Sequence, residues 1–352
     1  MGKSAQTSES RTRALGLARV ALAGVIWGTI PLVLRAADGA SVIKVFYRVL
    51  FAGIAIFVYM AVSGRLHEVR EMPRAKLLQV AVQGVVLTVN WVLFLSALDL
   101  TNVATAELLG YTGPVFVAVL APLVTGERFD ARIVVPLALS LGGIGVILAP
   151  QGIGFSGGRQ LLGAGLAFAS AITYAALLLR SKKILRGISG MSLMLIEYVV
   201  ASVILLPFVA VMYARGQGPT HVGAYVALLT LGLVQTALAG MIFLGGLRRV
   251  RTDHAAVLTY AEPVAAVLFA AAFLGEGLSG WTLAGGAMVV VGGLAVARIA
   301  PRGAVESVPF EIAGAEYEPV AGGAESEPAR SAGSGAELGS DEKGSESRRR
   351  RP

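Results

Sequence analysis

The sequence predicts an all-α polytopic membrane protein, with ten transmembrane helices arranged as two inverted five-helix repeats. Three observations carry this. The chain of 352 residues is 55% hydrophobic and only 15% charged, with a mean hydropathy of +0.71, whereas soluble domains are about a quarter charged. Ten separate apolar stretches reach the ~20 residues that a helix needs to cross a hydrocarbon core. Finally, one segment with polar landmarks occurs twice. YTGPVFVAVLAPLVTGE runs from Tyr111 to Glu127 and YAEPVAAVLFAAAFLGE from Tyr260 to Glu276, with Tyr, Pro, Val, Gly and Glu recurring at a constant offset of 149 residues. Each copy precedes an apolar segment holding paired glycines, Gly142-Gly143 and Gly292-Gly293.

Residues 1–14 read as a polar N-terminal tail, expected to be disordered. The start, Met-Gly-Lys-Ser-Ala-Gln, lacks the Ser or Thr at position six that N-myristoylation needs. The first apolar run, about 15–35, is too long for a signal-peptide core and has no clear cleavage site, so it is expected to remain as helix one. Spans at roughly 41–63, 75–97, 101–125 and 131–149 complete a first repeat, 15–149. Spans at roughly 160–180, 190–213, 221–246, 252–275 and 279–298 form a second, 160–298. Residues 300–352 are rich in Glu, Gly, Ala, Ser and Pro and are predicted to be a disordered C-terminal tail.

Orientation follows from Lys and Arg, which are retained on the cytoplasmic side of short loops. With the N-terminus inside, seventeen basic residues before the tail fall on inside stretches, and three (Arg35, Arg159 and Arg215) fall outside. Both termini are therefore expected in the cytoplasm, with the protein multi-pass in the cell membrane. The net charge of +8 is distributed to suit a bilayer rather than nucleic acid. Five spans per repeat is an odd number, so the second repeat must run upside down. The loops agree: Arg248, Arg249 and Arg251 precede the second signature while no basic residue lies at 99–102, and Arg128 and Arg132 follow the first while none lies at 277–281. Inverted repeats of this kind let two near-equal halves exchange conformations around a central site.

With these residues assembled, the chain resembles the drug/metabolite transporter superfamily, specifically the EamA type with two repeats. Carrying residues are Trp27-Gly28 in helix one, Phe46-Tyr47-Arg48-Val49-Leu50-Phe51-Ala52 in helix two, Leu95-Ser96-Ala97-Leu98, Leu244-Gly245-Gly246-Leu247, the Glu262-Pro263 pair and both terminal Gly-Glu pairs. Helix four departs from the pattern: Gly113-Pro114 stands where the family often has Glu-Pro, and a carboxylate occurs earlier, at Glu107. The resemblance implies membrane transport of a small-molecule substrate, as efflux across the plasma membrane. A homodimer is one admissible assembly.

An ionisable group at mid-membrane costs about 2.5–3.5 kcal/mol on insertion scales, so each needs a reason. Glu262, about 15 Å into its helix, is either a proton carrier or cation contact, or a carboxyl that bonds backbone freed by Pro263. Glu107, Tyr111 and Pro114 are spaced to share one helical face. Tyr260 and Pro263 repeat that face, with Ala256 in place of the glutamate. Pro114 and Pro263 kink their helices, and two kinked helices crossing at the pseudo-twofold axis would enclose a cavity; packing alone is the alternative. Arg48 is expected to pair with Glu107 or Glu197, and otherwise to hold a substrate carboxylate. Lys44 is expected to snorkel to the outer surface. Glu197 is equally ambiguous. Asn90 and Trp27 face either the cavity or a neighbouring helix, and Thr173 is a weaker candidate. Glu127 and Glu276 are expected to favour the positive end of the helix that follows each. Gly24-x-x-x-Gly28 offers a close-packing face.

The sequence holds no cysteine, phosphate loop, HExxH or GxSxG motif, so neither cofactor nor metal nor enzymatic chemistry is expected. The reading that results is a secondary transporter, an exporter of a small metabolite (amino acids or related compounds first) by alternating access, with proton exchange at Glu107, Glu197 or Glu262. A passive channel and a membrane scaffold are the alternatives.

Overall fold

The computed structural model describes residues 2–155, 157–275 and 277–299; the expected C-terminal tail and Glu276 lie outside them. Among the described residues all regular structure is helical. Ten stretches are long and apolar enough to cross a bilayer. They are α1 (Ser10–Arg35), α2 (Ser41–Val62), α3 (Arg74–Leu100), α4 (Val103–Val124), α5 (Ala131–Gln151), α6 (Gly157–Ile184), α7 (Gly190–Ala214), α8 (Val222–Leu247), α9 (Thr252–Leu274) and α10 (Gly280–Arg298). The first helix begins at Gly2 rather than near residue 15. Its polar start has no proline and no glycine between Gly2 and Gly16, and extending an existing helix requires no new nucleus.

The packing is self-complementary. The α3–α6 pair is matched by α8–α1, and α4–α6 by α9–α1; α2 packs on α7, α5 on α10, and α4 on α9. Exchanging the two repeats maps this set of pairs onto itself, as a pseudo-twofold axis requires. The most extensive pairings all join one repeat to the other.

Glycine allows the tightest of these approaches. A Cβ at Gly143 of α5 would stand 2.6 Å from the Gly285 carbonyl of α10, and one at Gly28 would stand 2.5 Å from Ala265 Cβ of α9. Gly24 and Gly28 thus present a flat strip to Ala261 and Ala265, the close-packing face expected of that spacing. Large side chains point outward instead: Val62 is 85% and Leu123 81% exposed, a surface suited to lipid.

Three spans are interrupted. α1 breaks after Trp27 and restarts at Ile30, with Pro31 in its first turn. α4 divides into Val103–Gly110 and Gly113–Val124, and α9 into Thr252–Leu258 and Ala261–Leu274. Within α8, Leu231–Leu238 is wound as π-helix.

Candidate functional site

The breaks in α4 and α9 sit at equivalent points of the two repeats. Proline has no N–H and its ring crowds the preceding turn. Pro114 and Pro263 therefore open the second half of each span rather than bending a continuous helix. In α4 the Val115 N–H turns to the Thr112 carbonyl at 2.9 Å, which leaves the Tyr111 carbonyl without its helical donor. The Tyr260 hydroxyl donates to that oxygen at 2.6 Å, and the two tyrosine rings meet edge to face with centroids 6.1 Å apart. The repeat-related tyrosines thus touch each other across the axis, and Tyr260 is fully buried.

Two carboxylates flank this contact. Glu107 and Glu262 are half-buried. Neither carboxyl group makes a hydrogen bond to a described residue, and neither side chain is wholly buried. Glu262 lies within electrostatic range of both Glu107 and Arg48. Tyr111 and Tyr174 lie within electrostatic range of the same carboxylate, and Tyr174 reaches Thr259 at the α9 break at 3.4 Å.

Arg48 departs from expectation. Among the described residues no carboxylate lies within 4.0 Å of it, so the ion pair with Glu107 or Glu197 is not made. Its helix faces the π-wound part of α8 instead. There Arg48 Nε donates to Thr236 Oγ1 at 2.7 Å, and the guanidinium lies 4.9 Å from the Trp91 ring centroid. Glu197 sits apart from the other glutamates. It is buried in the α3–α7 interface beside the Gln83 amide, where Gly84 lets the helices approach so closely that a Cβ would be 3.1 Å from Glu197 Cα.

Asn90 is a clamp between helices: its Nδ2 donates to the Ser170 carbonyl at 2.7 Å and to Thr173 Oγ1 at 2.9 Å, joining α3 to α6. Trp27, at the α1 break, donates from Nε1 to the Gln235 carbonyl at 2.9 Å and packs against Phe243. The π-winding has no signature in a single sequence. It is visible only in the backbone, where the Ala239 N–H reaches the Val234 carbonyl, five residues back; Thr236 Oγ1 also donates to the Leu231 carbonyl at 2.8 Å.

The two ends of the bundle differ. Toward the loops that follow α1, α3 and α7 a cleft of about 590 Å³ opens, lined by Asp38, Ser41, Val42, Leu95, Ser96, Asp99 and Gln217 among others. At the opposite end polar contacts stitch the repeats together. Glu127 does not serve the following helix, which Asp130 precedes. It accepts from Thr252 N at 3.0 Å and from Thr252 Oγ1 at 2.9 Å, capping α9 of the other repeat. Lys182, one of the cations that set the expected orientation, is buried and donates to the Leu247 and Val250 carbonyls at 2.6 and 2.7 Å, closing the C-terminus of α8. Arg251 pairs with Asp253 at 2.7 Å and with the Arg128 carbonyl at 2.8 Å. Glu68, between α2 and α3, accepts from Ser189 and Ser192 at the start of α7 and from Arg65. Burial works to raise the Glu68 carboxyl, but these donors hold it below its ordinary value.

Ten apolar spans in two interlocked repeats, with polar groups gathered at paired helix breaks, define a polytopic membrane protein of the transporter class. The chain belongs to the EamA-like transporter family, which it matches over residues 14–149 and 161–298. It is 28% identical over 277 residues to an uncharacterized transporter of Archaeoglobus fulgidus, covering 79% of this chain and 94% of that one. It is 26% identical over 260 residues to protein RarD of Salmonella typhimurium, covering 71% and 83%. A solved crystal structure, 21% identical, superposes with a TM-score of 0.69 over 82% of this chain and 97% of its own, which is a likeness of fold.

Proposed function

We propose that the protein is a secondary transporter that exports a small metabolite by alternating access, with amino acids and related zwitterions as the first substrate class. The supporting observation is the pair of half-buried carboxylates, one from each repeat, held without hydrogen-bond partners among the described residues beside touching helix breaks. Like charges in a low-dielectric interior repel, and a proton or a cationic group placed between them relieves that repulsion. The Glu107–Glu262 pair therefore couples outward movement of substrate to inward movement of a proton. Broken helices at a repeat interface are the usual means by which inverted-repeat transporters build a central site.

In this reading both termini are cytoplasmic, the 590 Å³ cleft is the outward vestibule, and the stitched end is the closed cytoplasmic gate. The test is counterflow of radiolabelled amino acids in proteoliposomes. Wild-type flux should saturate and respond to a pH gradient, and Glu262→Gln should lose the gradient response while retaining exchange. Unsaturable flux would mark a channel. Gradient-driven transport that survives in both Glu262→Gln and Glu107→Gln would rule out the pair as the proton carrier.

A further inference from the structure

We infer that Arg48 is the anchor for an anionic group of the substrate, a carboxylate, and that Thr236 and Trp91 are the residues that position it; this rests on the transport reading above and deepens it. Helix register places Arg48 relative to the cleft. Leu95, Ser96 and Asp99 of α3 line the outer cleft. Trp91 lies one turn below Leu95, on the same helical face. On α2, Ser41 lines the cleft, and Arg48 follows seven residues later on the same face, about 10 Å deeper. Both side chains thus lie beneath the floor of the cleft, on helix faces that lead down from it.

The guanidinium is held on two sides. Its Nε is committed to Thr236 Oγ1 and one flat face to the Trp91 ring. The Nη1–Nη2 edge makes no hydrogen bond to a described residue and is not fully enclosed. Two parallel N–H donors on a fixed plane match the two oxygens of a carboxylate, which a lysine cannot reproduce. Leaving that edge without a partner in a membrane interior is costly, and the described residues supply no carboxylate for it. The π-winding has a role here. It presents Thr236 toward α2 at the level of Arg48, and π-bulges are retained mostly where function requires them. Glu262, within electrostatic range of Arg48, then sits where it can take the cationic end of a zwitterion.

The experiment is arginine labelling of the purified full-length chain with phenylglyoxal, read at the Arg48 peptide by mass spectrometry, with butyrate or butylamine present at equal ionic strength. Arg48 should react, and butyrate but not butylamine should slow the reaction about fivefold or more, as a charge-assisted bidentate contact requires. Thr236→Val should leave Arg48 reactive but reduce the butyrate effect below about twofold, a change that lost packing alone would not produce. Failure of Arg48 to react, or equal protection by butylamine, overturns the proposal. Transport is scored separately. In proteoliposomes Arg48→Lys should raise the KM for a transported amino acid about tenfold or more, while a wild-type KM in that variant overturns the anchor but not the transport reading. Butyrate protection in a protein that moves no amino acid would keep the anchor and reject the proposed substrate class.

Discussion

At the scale of single residues, the polar groups of this membrane protein divide by what they touch. Asn90, Lys182, Gln83 and Glu127 are committed to backbone or side chains of other helices, whereas Glu107 and Glu262 and one edge of Arg48 are not committed to any described residue. Sequence alone marked Arg48, Asn90, Glu107 and Glu262 as polar groups within apolar spans, counted Lys182 among the loop cations, and gave no reason to single out Gln83. It expected an ion pair for Arg48 and a role at the following helix for Glu127, and the structure gives other partners, because linear order does not say which helices face each other. Glu68 offers a test of the stitched end. Its carboxyl is held below the ordinary 4.5 by three donors despite burial. A depressed carboxyl contributes stability that is fully present above the unfolded value and lost as pH falls through the folded one. The thermal stability of the detergent-solubilised protein should therefore fall as the medium is acidified below about pH 4.5, and Glu68→Gln should flatten that slope. An unchanged acid slope in the variant would assign the loss to other carboxylates.

Whole elements were more legible than their interruptions. A run of twenty apolar residues has few alternatives to a spanning helix, since every backbone group must be bonded internally in lipid. The prolines of the repeated signature foretold a disturbance in α4 and α9, and the structure makes it a complete break. The π-wound stretch of α8 left no trace in composition or spacing, so Thr236 and its bond to Arg48 could not be anticipated. The paired glycines were legible as landmarks of the repeat, and the structure makes them close-packing points between α5 and α10: Gly143 meets Gly285, and Gly292 meets Pro136 and Ser140. Gly143→Val should drive α5 from α10, with a cost of about 1–3 kcal/mol from overpacking. This would be measured as a lower midpoint of denaturant unfolding. The same substitution at Gly165, where a Cβ would meet no atom within 4 Å, should cost far less.

Across the whole molecule, the orientation proposed from loop charge is open to a clean experiment because the native chain contains no cysteine. Single cysteines at the exposed positions Arg70 and Lys183 should react with an impermeant maleimide only from the cytoplasmic side. A cysteine at exposed Arg215 should react only from outside. Opposite labelling of the first two would break the inverted arrangement, whatever the fate of the transport reading.

The interlocked packing has a consequence for how the protein is made. The widest contacts run between the halves, so the five spans synthesised first have no complete core of their own. They must wait in the bilayer, with lipid standing in for absent neighbours, until their counterparts emerge. Each copy acts as the template on which the other matures.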